Sequence, residues 1–140
     1  MSDLPPRRPS DALLPTQLRP PAFHPRWTWV LSSWARCLPD FLVLGAQKSG
    51  TTSLTAYLDL NPGAWITPCK ECNFLSGPRQ SLAHYRAFFP TTWTRKSMER
   101  AAGRSVLMGE GTPYDFFHPN APKRAATLLP HARTLNLERE

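Results

Sequence analysis

The sequence predicts an α/β fold in which a mainly parallel sheet carries flanking helices. Three observations predict it. FLVLG (Phe41 to Gly45) and SVLM (Ser105 to Met108) are short, almost wholly apolar runs, which suit strands buried on both faces of a sheet. Between such runs the apolar residues switch to helical spacing. Turn residues such as Asn61-Pro62-Gly63 separate the two kinds of segment. Strands alternating with helices in one chain argue for a parallel sheet covered by those helices.

Taken in order, Met1 to about Arg26 holds PPRRPS, LLPT and RPPAFHP. Proline fixes φ and removes a backbone donor, so no packed structure is expected there. Trp27 to Leu38 is a Trp-rich arm that could dock on the domain. Residues 1–39 thus read as a tail and 40–140 as the ordered unit. After the FLVLG strand, Leu54, Tyr57 and Leu58 predict one buried helix face between Gly50 and Leu60. Trp65 to Thr67 reads as a second strand. Ser81 reads as the cap of a helix on which Leu82, Tyr85 and Phe89 share a face. SVLM is a third strand, and GEGTPYDFF follows it as a polar turn. Asn120 reads as the cap of a helix with Pro122 in its first turn and Ala125, Leu128 and Leu129 facing inward. Arg133 to Leu137 reads as a last strand.

At 140 residues the chain has room for about one domain. Its formal charge is +7, yet only 19% of residues are charged, so the basic balance comes from scarce acids. That suits an anionic ligand, and equally an ordinary basic surface. Eight of the 16 prolines lie in the first 39 residues. Three cysteines are too few for a disulfide framework. No run of 18 apolar residues occurs, so no membrane-spanning helix is expected, which tilts the reading slightly toward a soluble, cytoplasmic chain.

LVLGAQKSGTTSL (Leu42 to Leu54) carries the chemistry. Gly45 and Gly50 have the spacing of a phosphate-binding G-x-x-x-x-G loop, but Thr51 follows Gly50 and the lysine, Lys48, lies inside the loop. A strand, a glycine loop and a helix N-terminus form an anion site from free backbone N–H groups and the helix dipole. Thr51, Thr52 and Ser53 add hydroxyls, and Lys48 adds a mobile positive charge. A strand–turn–helix with incidental glycines is the plainer reading. The agreement of strand, lysine, threonine pair and helix favours the anion site. The fold is then P-loop-like.

Lys48-Ser49-Gly50-Thr51-Thr52 matches the K-x-G-T-T loop of the sulfotransferases, and the surrounding FLVLGAQKSGTTSL resembles their heparan-sulfate, carbohydrate and bacterial members. The resemblance implies 3′-phosphoadenosine 5′-phosphosulfate as sulfuryl donor, with no metal. It places Gln47, Lys48, Ser49, Gly50, Thr51, Thr52 and Ser53 around the donor's 5′ end, with Lys48 at the bridging oxygen. Lys70-Glu71-Cys72-Asn73-Phe74-Leu75 resembles the family's K-E-x-H-F-F segment, and by that match Glu71 is the candidate general base. By itself this Lys-Glu pair would read as surface. Asn73 and Leu75 depart from the family's histidine and second phenylalanine. Cys69 and Cys72 form a lone C-x-x-C without a second ligand pair, and read as incidental.

Gly109 to Tyr114 resembles the family's G-E-x-[ST]-P-x-Y turn beside the cleft, and equally a proline turn with a packed tyrosine. Pro130 to Arg139 resembles a family strand ending in the arginine that holds the donor's 3′-phosphate. Arg139 takes that position, while Asn136 and Glu138 stand where the family is apolar. The resemblance runs from about Asp40 to Arg139 and covers the N-terminal half of a typical family domain, so a fragment or a truncated product is expected. It implies a hydroxyl or amine acceptor, carbohydrate-like in class, and no specific nucleic acid. Two other classes remain open at this stage. A P-loop kinase or NTPase would bind ATP with magnesium, but Lys48 is misplaced for it and its metal-ligand pattern is missing. A noncatalytic basic module would bind polyanions with steep salt dependence.

Overall fold

The structure is a computed structural model that describes residues 25–45, 50–69, 72–77 and 80–137. Helix α1 (Trp27–Leu31) and a 3-10 turn (Ser33–Ala35) precede strand β1 (Phe41–Gly45). Helix α2 (Thr51–Leu60), strand β2 (Ala64–Ile66) and helices α3 (Leu82–Arg86) and α4 (Thr92–Ala102) follow. Strand β3 (Leu107–Gly111), a 3-10 turn (Pro113–Phe116), helix α5 (Ala121–Leu128) and strand β4 (Arg133–Leu137) complete the order. The four strands form one parallel sheet in the order β2-β3-β1-β4.

Side-chain alternation along β1 divides the core in two. Phe41 and Val43 join Ile66 on one face, against Leu54 and Leu58 of α2. Leu42 and Leu44 point to the other face, with Trp65, Met108, Phe74, Tyr85, Phe89, Met98, Ala125 and Leu129. The first crossover thus lies on one side of the sheet and α3, α4 and α5 on the other. Adjacent strands β1 and β3 therefore send their connections to opposite faces, which opens a crevice at their carboxyl ends.

The amino ends are pinned by Asp40. Its N–H donates to Met108 O (2.7 Å), and its carboxylate accepts from Met108 N (2.8 Å). The same carboxylate pairs with Arg95 of α4 (3.1 Å), while its carbonyl accepts from Arg133 N. Packing reaches back into the arm. Buried Arg36 donates from Nη1 to Phe89 O (2.8 Å), and the Arg36 and Thr91 backbones form an antiparallel bridge. Cys37 is buried in the core beside them.

Several expectations shift. β3 begins two residues later than SVLM suggests, so Gly109, Glu110 and Gly111 lie in the strand instead of a polar turn. Apolarity marks the run, but the pairing of Phe41 with Gly109 and Val43 with Gly111 decides the register. Tyr57 is exposed, because Leu54 and Leu58 are enough to fill the α2 contact. Ser81 does cap α3, accepting from His84 N (3.1 Å), but the helix ends at Arg86 and Phe89 is buried from the turn beyond it. Asn120 precedes α5 without a side-chain cap bond. Helix α4 has a polar sequence and is not foreseen. It is set by the Thr91 cap, which accepts from Thr94 N, and by Gly103 in the left-handed region at its end.

Among the described residues the arm packs mainly on α3. Among the described residues nothing pairs with the outer edge of β4, whose residues Arg133 to Asn136 are all exposed. An open edge is a template for further pairing. Leu135→Lys is therefore expected to lower self-association, read as light scattering of concentrated solutions. Unchanged scattering would remove β4 as its source.

Candidate active site

The best-described part of the site is the return of α2 onto β1. Gly45 ends β1 with no room for a side chain, because a Cβ there would lie 2.8 Å from the Thr51 methyl. Gly50 has φ of +86°, the left-handed region that favours glycine. It occupies the N-cap of α2, so among the described residues no side chain accepts from the first N–H groups of the helix. Thr51 is buried at the turn, while Thr52 and Ser53 are exposed. Backbone donors at Thr51, Thr52 and Ser53 therefore stand without a side-chain cap at the carboxyl end of β1, a fitting cradle for an anion. Gln47, Lys48 and Ser49 lie outside the described residues, as do Glu71 and Arg139.

The flanks of Glu71 are well held. After β2, buried Thr67 donates from Oγ1 to Phe88 O (3.1 Å) and accepts from Cys69 N. Cys72 is buried and its Sγ contacts Cys69 O at 3.7 Å. Burial pushes the Cys72 thiol well above its ordinary value, which makes it a poor nucleophile. Asn73 adopts φ of +51°, a conformation asparagine tolerates, and its carbonyl accepts from Gly77 N (2.6 Å). Phe74 stacks on Tyr85 at 3.9 Å between centroids, and Arg124 of α5 lies over the Phe74 ring. Arg124 also donates to the carbonyls of Leu75 and Gly77. Among the described residues no group of three His, Cys, Asp or Glu side chains could hold a metal.

At the end of β3, Glu110 is only 2% exposed. The Tyr85 hydroxyl donates to its Oε2 and the Thr112 hydroxyl to its Oε1. Burial raises its pKa to about 7, opposed by those hydrogen bonds. Burial likewise raises the pKa of Asp115, with neighbouring Ser76 opposing. Sequence reasoning placed Glu110 in a turn and missed this network. Its signal was the buried-strand pattern continuing past Met108 through two glycines.

All four strands are parallel, so their carboxyl ends (Gly45, Ile66, Gly111 and Leu137) lie along one edge of the sheet. Lys48, Glu71 and Arg139 follow three of these ends in the sequence and lie outside the described residues.

The chain matches no protein-family model. It is 33% identical over 124 residues to the bifunctional heparan sulfate N-deacetylase/N-sulfotransferase 1 of Caenorhabditis elegans, covering 81% of this chain and 13% of that protein. It is 29% identical over 108 residues to the membrane-associated sulfotransferase kil1 of Dictyostelium discoideum, covering 74% and 21%. Among solved structures it resembles a sulfotransferase of Alicyclobacillus acidocaldarius, with a TM-score of 0.50 and 25% identity, over 71% of this chain and 44% of that one. The chain thus spans between an eighth and a fifth of these curated relatives, and under half of the structural neighbour. Over four-fifths of its length this chain is sulfotransferase-family sequence, carried on an α/β sheet of the sulfotransferase type.

Proposed function

We propose that the chain takes part in transferring a sulfuryl group from 3′-phosphoadenosine 5′-phosphosulfate to a hydroxyl or amine of a carbohydrate-like acceptor. One observation supports this reading: the carboxyl ends of β1, β2, β3 and β4 lie along one edge of a parallel sheet, and the N-terminus of α2 beside β1 has no side-chain cap among the described residues. The donor supplies an activated sulfur whose bond to the bridging oxygen breaks as a bond to the acceptor forms. The backbone donors of Thr51 to Ser53 hold the 5′ end and the adjacent hydroxyls orient it. Lys48 offsets the charge that develops on the leaving oxygen. Glu71 takes the acceptor's proton, and Arg139 holds the 3′-phosphate. Residues 40–140 are the part of the chain assigned to this chemistry, and the arm before them adds Arg36 and Cys37 to its packing.

Calorimetric titration with adenosine 3′,5′-bisphosphate tests the reading. Saturable binding is expected, weakened about tenfold or more by Lys48→Ala, the scale of one lost charge-assisted hydrogen bond. ATP with magnesium should bind less tightly. A folded chain that ignores the bisphosphate would sink the proposal.

A further inference from the structure

Cations on α4 and just beyond its end fall into two groups. Arg95 is neutralised, pairing with Asp40 at 3.1 Å and with Glu99 at 3.4 Å. Glu99 is in turn committed inward, since its Oε1 also accepts from Val106 N (3.2 Å). Lys96, Arg100 and Arg104 are exposed and, among the described residues, have no acidic partner in ion-pair range. Yet these three line one open cleft of about 320 Å³ together with Glu99 and Ser105. Lys96 and Arg100 stand four residues apart on the helix, an arrangement of like charges that destabilises it slightly. An anion between them would turn that repulsion into attraction.

The cleft's place in the fold separates it from the donor loop. Ser105 lies just before β3, and the Arg104 side chain passes Gly63, just before β2. Both mark the amino edge of the sheet, one strand length (roughly 17 Å for five residues) from the carboxyl edge. Every lining side chain is charged or polar. Guanidinium and ammonium groups suit sulfate and carboxylate groups, and the Ser105 hydroxyl suits sugar hydroxyls. No aromatic ring lines the cleft for a base to stack on.

We propose that this cleft binds an acidic polysaccharide through Lys96, Arg100 and Arg104, as a second grip on a polymer whose other segment reaches the carboxyl edge. The identity of the polymer rests on the carbohydrate-like acceptor proposed above. Tethering at one edge raises the effective concentration of acceptor groups at the other.

The test titrates the full chain with a sulfated glycosaminoglycan decasaccharide at fixed salt. It compares Lys96→Gln/Arg100→Gln/Arg104→Gln with a control of equal charge loss at exposed positions elsewhere, Arg26→Gln/Lys123→Gln/Arg133→Gln. The cleft variant is expected to bind about tenfold more weakly and the control within about twofold of wild type, as contact and distant surface charges differ. Equal losses in both would overturn the site. So would inorganic sulfate binding as tightly as the decasaccharide, or a single-stranded oligonucleotide of equal charge losing as much in the cleft variant. Arg100→Gln alone replaces the triple variant if the latter's unfolding midpoint falls. Titration with adenosine 3′,5′-bisphosphate on the same samples reads the donor loop separately. It should not distinguish the variants, and its failure would count against the donor reading while leaving the cleft's result intact.

Discussion

Unfolding free energy is expected to fall by about 3 kcal/mol as pH rises from about 4.5 to 7, through Glu110 alone. The sign follows from its environment. Burial holds its pKa near 7 in the folded chain, against an ordinary value of 4.5. Between those values the folded chain keeps a proton that the unfolded chain releases, so rising pH favours unfolding. The contribution is fully present below 4.5 and lost as pH passes 7. Asp115, also raised by burial, tilts the profile the same way. Glu110→Gln isolates the first group. Urea midpoints measured from pH 5 to 8 should decline in wild type and flatten in the variant. Tyr85→Phe removes a donor that favours the carboxylate, so the decline should extend to higher pH. A wild-type profile no steeper than that of Glu110→Gln would refute a buried carboxyl that titrates near neutrality.

Gly109→Ala should destabilise the chain by about 3 kcal/mol, at the upper end of ordinary overpacking. Gly109 stands in register with Phe41 on the neighbouring strand. A Cβ there would lie 2.2 Å from Phe41 Cζ and 2.8 Å from Ile66 Cδ1. Phe41, Val43 and Ile66 form the small core beneath α2, so the ring has little room to retreat. Phe41→Leu in the same chain should recover part of the loss, because the two sites share one contact. Equal urea midpoints for wild type and Gly109→Ala would show that the ring moves freely. Gly50→Ala offers a contrast: no described residue lies within 4 Å of a Cβ there, and its cost of about 1 kcal/mol would come from the left-handed backbone.

Such differences mark what a sequence can and cannot say. FLVLG reads as a buried strand because each of its side chains is apolar, and it is one. The loop that follows is legible because glycine spacing and a helix start are local features, and Gly50 does hold a positive φ. Helix α4 is invisible to hydrophobic periodicity because only Met98 and Ala102 pack against the core. Its capping threonine and terminal glycine were the available signals. The cation cleft was equally hidden. Lys96, Arg100 and Arg104 recur every four residues, but α4 ends at Gly103, and only the folded chain keeps Arg104 in one cleft with Lys96 and Arg100.

From the sequence alone came the alternation of strands and helices, the lysine-bearing glycine loop and the family resemblance, since each depends on residues near one another in the chain. Tertiary structure alone decided three other matters: the strand order β2-β3-β1-β4, the alignment of the four strands' carboxyl ends along one edge, and the burial of Glu110 between Tyr85 and Thr112. The reason is physical. Local pattern sets which face of each element is apolar, but pairing partners and the environment of a buried carboxyl depend on residues tens of positions away, and only packing brings those together.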